Sequence, residues 1–104
     1  MENSMYYMII FHLPANRFAE RIKRFVETGA LPPNGVKLHG RWVTLGHDRG
    51  FQLVETAKPE LIFHWCSEWA DLMTFEVFPI IESAPAATVL VALNDKIQQT
   101  GNLV

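Results

Sequence analysis

The sequence predicts an α+β fold: a ferredoxin-like β-α-β-β-α-β antiparallel sheet in the order 4-1-3-2, followed by a C-terminal helix. Three observations carry this expectation. Strand and helix patterns alternate in that order along the chain. The first strand is apolar on both of its alternating faces, which suits an inner position. The last strand contains Pro79, which removes a ladder donor and suits an edge. Right-handed crossovers turn the element order into a sheet with two helices on one face, and place strand one inside and strand four outside.

Each element has local reasons. MYYMIIFHL (residues 5–13) is β-prone throughout. Asn16 is placed to cap a helix whose stripe is Phe18, Ile22, Phe25 and Val26, and Gly29 ends it. LPPNG is loop chemistry. VKLHGRWVTL and FQLVET read as a hairpin turning through GHDRG. Pro59 fits the first turn of a second helix, along which Leu61, Ile62, Trp65, Trp69 and Leu72 recur at helical spacing. TFEVFPII is the fourth strand. Ser83 caps a last helix with Ala86, Val89, Leu90, Leu93 and Ile97 on one face. One domain is expected over 1–104, with a core at about 5–83 and the last helix at about 84–99.

Composition narrows the function classes. The chain is 49% hydrophobic and 19% charged over 104 residues, a large apolar share for so small a body. A net charge near −2 without a basic stripe argues against nucleic acid. A single cysteine makes neither an internal disulfide nor a thiolate zinc site, and it points to a reducing cytoplasm. The apolar run at 5–13 is too short to span a membrane, and no Lys or Arg precedes it as in a signal peptide.

Two helices cover one side of a sheet, yet the first strand is apolar on both: Tyr6, Met8 and Ile10 on one face, Tyr7, Ile9 and Phe11 on the other. A second copy stacked sheet to sheet is the expected cover, with the last helix as the alternative. The expected assembly is therefore a homodimer.

Each candidate site residue also has a plain structural role open to it. His12 closes the central strand, and the strand order brings it near Glu76. A His-Glu pair at the mouth of a cavity between sheet and helices is the best catalytic constellation available. Glu55 and Glu76 interrupt apolar strands, so each needs a partner such as Arg41 or Lys37, or else its pKa rises. Gln52 would orient a ligand. Tyr6, Trp42 and Trp65 would shape an aromatic wall, or serve simply as core and interface. Trp42 and His39 are expected on opposite faces of strand two. Cys66 has no histidine placed to activate it and reads as a small buried hydrophobe. His64 and Glu68 lie four apart, but no HxxxH or HxH pair exists to suggest a metal. Asp71 is unfavourable at a helix C-terminus, which asks for a specific partner in the turn or at Trp42.

Residues 51–81 carry a pattern: Leu53, Glu55 and Thr56 end a strand; Trp65, Trp69, Asp71 and Leu72 follow on a helix; Phe75, Glu76, Val77 and Pro79 form the next strand. This pattern, extended more weakly to the first strand and Gly40-Arg41-Trp42, resembles a small bacterial family known only as a domain of unknown function and grouped with the dimeric α/β-barrel proteins. The resemblance implies a ferredoxin-like subunit and a dimeric barrel, and no established activity. The wider superfamily includes cofactor-free monooxygenases, isomerases of small metabolites and haem-binding members.

The functional expectation is a small-molecule-binding dimer for an apolar or aromatic ligand, without cofactor or metal. A monooxygenase-like or isomerase-like reaction would run through His12 and Glu76. The alternative is a non-catalytic ligand-binding, regulatory or structural homodimer.

Overall fold

The computed structural model describes residues 3–100. Strands β1 (Met5–His12), β2 (Val36–Val43), β3 (Arg49–Thr56) and β4 (Thr74–Ile80) form one antiparallel sheet in the order β2-β3-β1-β4. This is the expected order read from the other edge, and Pro79 does lie on an edge strand. Helices α1 (Phe18–Thr28) and α2 (Pro59–Glu68) connect the strands as ferredoxin-like crossovers, and α3 (Ser83–Thr100) follows β4.

The core lies between the sheet and the two crossover helices. Tyr7, Ile9 and Phe11 point into it from β1, and Val54 and Thr56 from β3. Ile62 and Trp65 of α2 pack down on them, with Ile9 and Val54 fully shielded from water. Side chains of that size each contribute about 1.5–3 kcal/mol on burial. The far end of the Phe11 ring lies against Gly50, where a Cβ would sit 2.0 Å from it.

Helix boundaries differ from the sequence expectation in places. A short 3-10 turn at Ala15–Arg17 precedes α1, so Asn16 lies within that turn and does not cap the helix. Gly29 ends α1 as expected, with φ 69° and its N–H bonded to Phe25 O at 2.7 Å. Pro59 opens α2, and Thr56 accepts the Lys58 N–H at 3.1 Å. Helix α2 stops at Glu68, so Trp69 to Leu72 form a turn. Asp71 in that turn finds its partner in Arg24 of α1, at 2.8 and 2.7 Å through both carboxylate oxygens, and not in Trp42. Arg24 also stacks over Trp69 at 5.3 Å.

The second sheet face is not covered by α3. No residue of α3 is buried, and Val89, Leu90, Leu93 and Ile97 are 45–63% exposed. The projecting helix fits a longest dimension of 60 Å and a radius of gyration of 18.5 Å, against about 13 Å for a compact chain of this length. Met8 and Ile10 of β1, Phe51 and Leu53 of β3, Trp42 of β2 and Phe78 of β4 share the open face. Trp42 is 56% exposed there, with its ring over Gly40.

A register shift between Leu38 and Gly40 changes the parity of β2. His39 consequently falls on the open face beside Tyr6, with ring centroids 5.5 Å apart, on the same side as Trp42 and not opposite it.

Candidate functional site

The expected residues divide between the two sheet faces. His12 and Glu76 do meet, with Nε2 and Oε2 2.6 Å apart. They meet on the open face, because Glu76 pairs with Ile10 and shares its side of the sheet. The pair is therefore not at the mouth of the cavity between sheet and helices, and neither residue lines it. Tyr6, Trp42 and Glu55 also belong to the open face. Gln52 and Trp65 are the two expected residues that reach the cavity.

Glu55 is held neither by Arg41 nor by Lys37. Its carboxylate accepts a hydrogen bond from the Ser4 hydroxyl, and His39 Nε2 lies 2.9 Å from the other oxygen. Those two contacts, Ser4 foremost, hold its pKa below the usual carboxylate value. The open face thus carries a His-Glu pair near each end of its apolar stretch.

The cavity measures about 260 Å³ and has an almost wholly apolar wall. Phe11, Val43 and Phe75 form its floor on the sheet. Ile22 and Phe25 of α1 and Trp65 of α2 roof it, and Trp69 and Met73 close the side. The small side chain of Ala30 on the wall leaves part of this space unfilled. Arg21 is the sole buried residue of α1, and Arg21 and Arg24 tie the helix to the Leu72 carbonyl and the Asp71 carboxylate.

Polar groups enter the cavity wall from few places. Arg41 donates from Nε to Gln52 Oε1 at 2.8 Å and from Nη2 to Ala30 O at 2.6 Å. Its guanidinium lies 6.0 Å from the centroid of the Trp65 ring. Arg21 is 4% exposed. Its Nη1 donates to Pro14 O and, at 3.4 Å, to Leu72 O, while its buried Nε has no partner. Burial lowers the pKa of both arginines, because removing a cation from water disfavours its charged form. His47, at the hairpin tip with φ 55°, reaches the rim.

Cys66 also touches the cavity, and burial raises its thiol to about 11. It is a protonated wall group at neutral pH. His64 lies 3.4 Å from Glu68 on the exposed side of α2.

Sequence reasoning missed Arg21 and used Arg41 only as a possible partner for a glutamate. A signal for Arg21 was present: it lies three residues after Phe18 and four before Phe25, within the apolar stripe of α1. A cation in such a stripe has to find backbone carbonyls or an anion in the interior.

No curated protein and no solved structure gives a significant match to the chain. A family model described as a domain of unknown function (DUF3303) matches residues 5–94, from the first strand into α3. Covering most of the chain, that match makes this protein a member of the DUF3303 family.

Proposed function

We propose that the protein binds a small, mostly apolar molecule between its sheet and its crossover helices, as a homodimer whose open sheet faces stack together. The cavity carries this reading: an apolar space ending at the Arg41–Gln52 hydrogen bond. Apolar walls with few placed polar groups are the common pattern of small-molecule sites, and a volume of about 260 Å³ suits a compact ligand.

Binding is favoured over catalysis by what lines the space. Its wall has no Asp or Glu, His47 is its one histidine, and Cys66 is protonated. The His12–Glu76 pair, the best acid-base candidate, faces the other side of the sheet. In a face-to-face dimer it would be enclosed at the interface.

The dimer is supported by the apolar open face and by α3, which leaves that face bare. Two-fold association of identical patches is the commonest way to cover such a surface.

The test is a fragment screen by ligand-observed NMR on the full chain, followed by chemical-shift mapping of the Trp indole N–H groups. Compact aromatic fragments should shift Trp65 and leave Trp42 still. A screen in which no apolar fragment moves Trp65 overturns the binding reading.

A further inference from the structure

We infer that the ligand of this cavity is an organic anion: a compact aromatic or aliphatic body bearing one carboxylate, with the carboxylate held by Arg41 and the field of Arg21. The inference rests on the binding reading above and adds the charge of the ligand to it.

Two guanidinium groups border an apolar cavity, and no Asp or Glu lines it. The hydrogen bonds of both arginines go to neutral oxygens: Pro14 O and Leu72 O for Arg21, Gln52 Oε1 and Ala30 O for Arg41. Among the described residues, neither has a carboxylate partner. This contrasts with Arg17 of the 3-10 turn and Arg24 of α1, which pair with Glu20 and Asp71. A cation taken out of water without a counter-charge is costly, and proteins ordinarily pair it. Here the protein supplies two such cations at one cavity and no anion.

Geometry selects Arg41 as the anchor. Its Nε and Nη2 bonds fix the plane of the guanidinium, while Nη1 takes part in neither bond. The Gln52 side-chain oxygen is occupied by Arg41, which leaves the amide nitrogen as a second donor on the same wall. A planar fork with a neighbouring amide donor matches a carboxylate. Arg21 lines the same cavity at 4% exposure with its Nε unpartnered, so it adds a second positive charge to a poorly solvated site. The rest of the wall is carbon, so the remainder of the ligand is apolar.

The experiment compares shape-matched probes on the full-length protein by isothermal titration: 2-naphthoate against 2-naphthamide, and octanoate against octanamide. The expected result is that at least one acid binds about tenfold or more tightly than its amide, as a charge-assisted pair in an apolar site implies. The Trp65 indole N–H should shift on binding. In Arg41→Gln the ratio of acid to amide affinity should fall to about one, and Arg41→Lys should restore part of the preference. Equal or tighter binding of both amides overturns the anion inference and leaves the cavity reading intact. Failure of all four probes to bind overturns the inference and the cavity reading together. The wild-type comparison decides the question even if the Arg41 variants do not fold.

Discussion

His12 Nε2 and Glu76 Oε2 lie 2.6 Å apart on the face of the sheet turned away from the helices. The ligand-sized cavity lies on the other face. Strand pairing explains the separation: Ile10 opposes Glu76, so Glu76 follows the side of Ile10 and His12, while Phe11 and Phe75 point to the cavity. His12→Ala should therefore leave binding of an apolar ligand in the cavity within about twofold of wild type by titration. A loss of tenfold or more would place the pair in the binding machinery.

The open face gives a prediction about assembly. Leu53 lies in its middle, opposite Met8 on β1 and Gly40 on β2. Wild-type protein should scatter light as a dimer, and Leu53→Glu should scatter as a monomer with unchanged far-UV circular dichroism. A buried unpaired carboxylate opposes association. A monomeric wild type would refute face-to-face stacking.

Two glycines should respond differently to the same change. A Cβ at Gly50 would sit 2.0 Å from Phe11 Cζ and 2.7 Å from the Trp42 carbonyl oxygen. Buried ring and backbone both resist movement, so Gly50→Ala should cost about 1–3 kcal/mol or more in urea unfolding. At Gly40 the nearest neighbour is the Trp42 ring at 2.4 Å, and that ring is 56% exposed and can swing away. In a monomeric background such as Leu53→Glu, Gly40→Ala should cost below about 1 kcal/mol. Equal costs would show that the Phe11 ring yields as easily as the exposed indole.

Acid should weaken the fold through Glu55 and Asp71. The Ser4 hydroxyl and His39 hold Glu55 below its ordinary value of 4.5, and Arg24 holds Asp71 below 3.8. A carboxylate with a depressed folded pKa adds stability above its unfolded pKa, and that stability is lost as pH falls through the folded value. Wild-type Tm should drop as pH falls below about 5. Glu55→Gln should be less stable than wild type at pH 7 and converge on it in acid. Parallel curves down to the acid limit would show that Glu55 contributes nothing through its charge.

Cys66 should be slow to alkylate. With its thiol raised from 9.0 to about 11, the thiolate fraction at pH 8 falls about a hundredfold. Iodoacetamide should modify the native protein at least that much more slowly than the urea-unfolded chain. Comparable rates would mean that α2 opens readily.

The element order, the edge position of the proline-containing strand and the doubly apolar central strand are all legible in the residues alone. These follow from local chemistry: alternation along β1, Gly29 at a left-handed helix end, Pro59 at a helix start. The sequence also places His12 beside Glu76, since strand order alone brings those ends together. Which face each candidate occupies relative to the helices emerges only from the folded chain. A bulge at His39 shifts parity in a way that strict alternation does not contain. The arginine wall of the cavity has the same origin. Arg21 and Arg41 are 20 positions apart on a helix and a strand, and each looks like an ordinary surface cation in the chain. Their meeting at one space depends on how far α1 stands off the sheet. The backbone carbonyls of Pro14, Ala30 and Leu72 hold both guanidinium groups in place, contacts that form only once helix, loops and sheet have packed together.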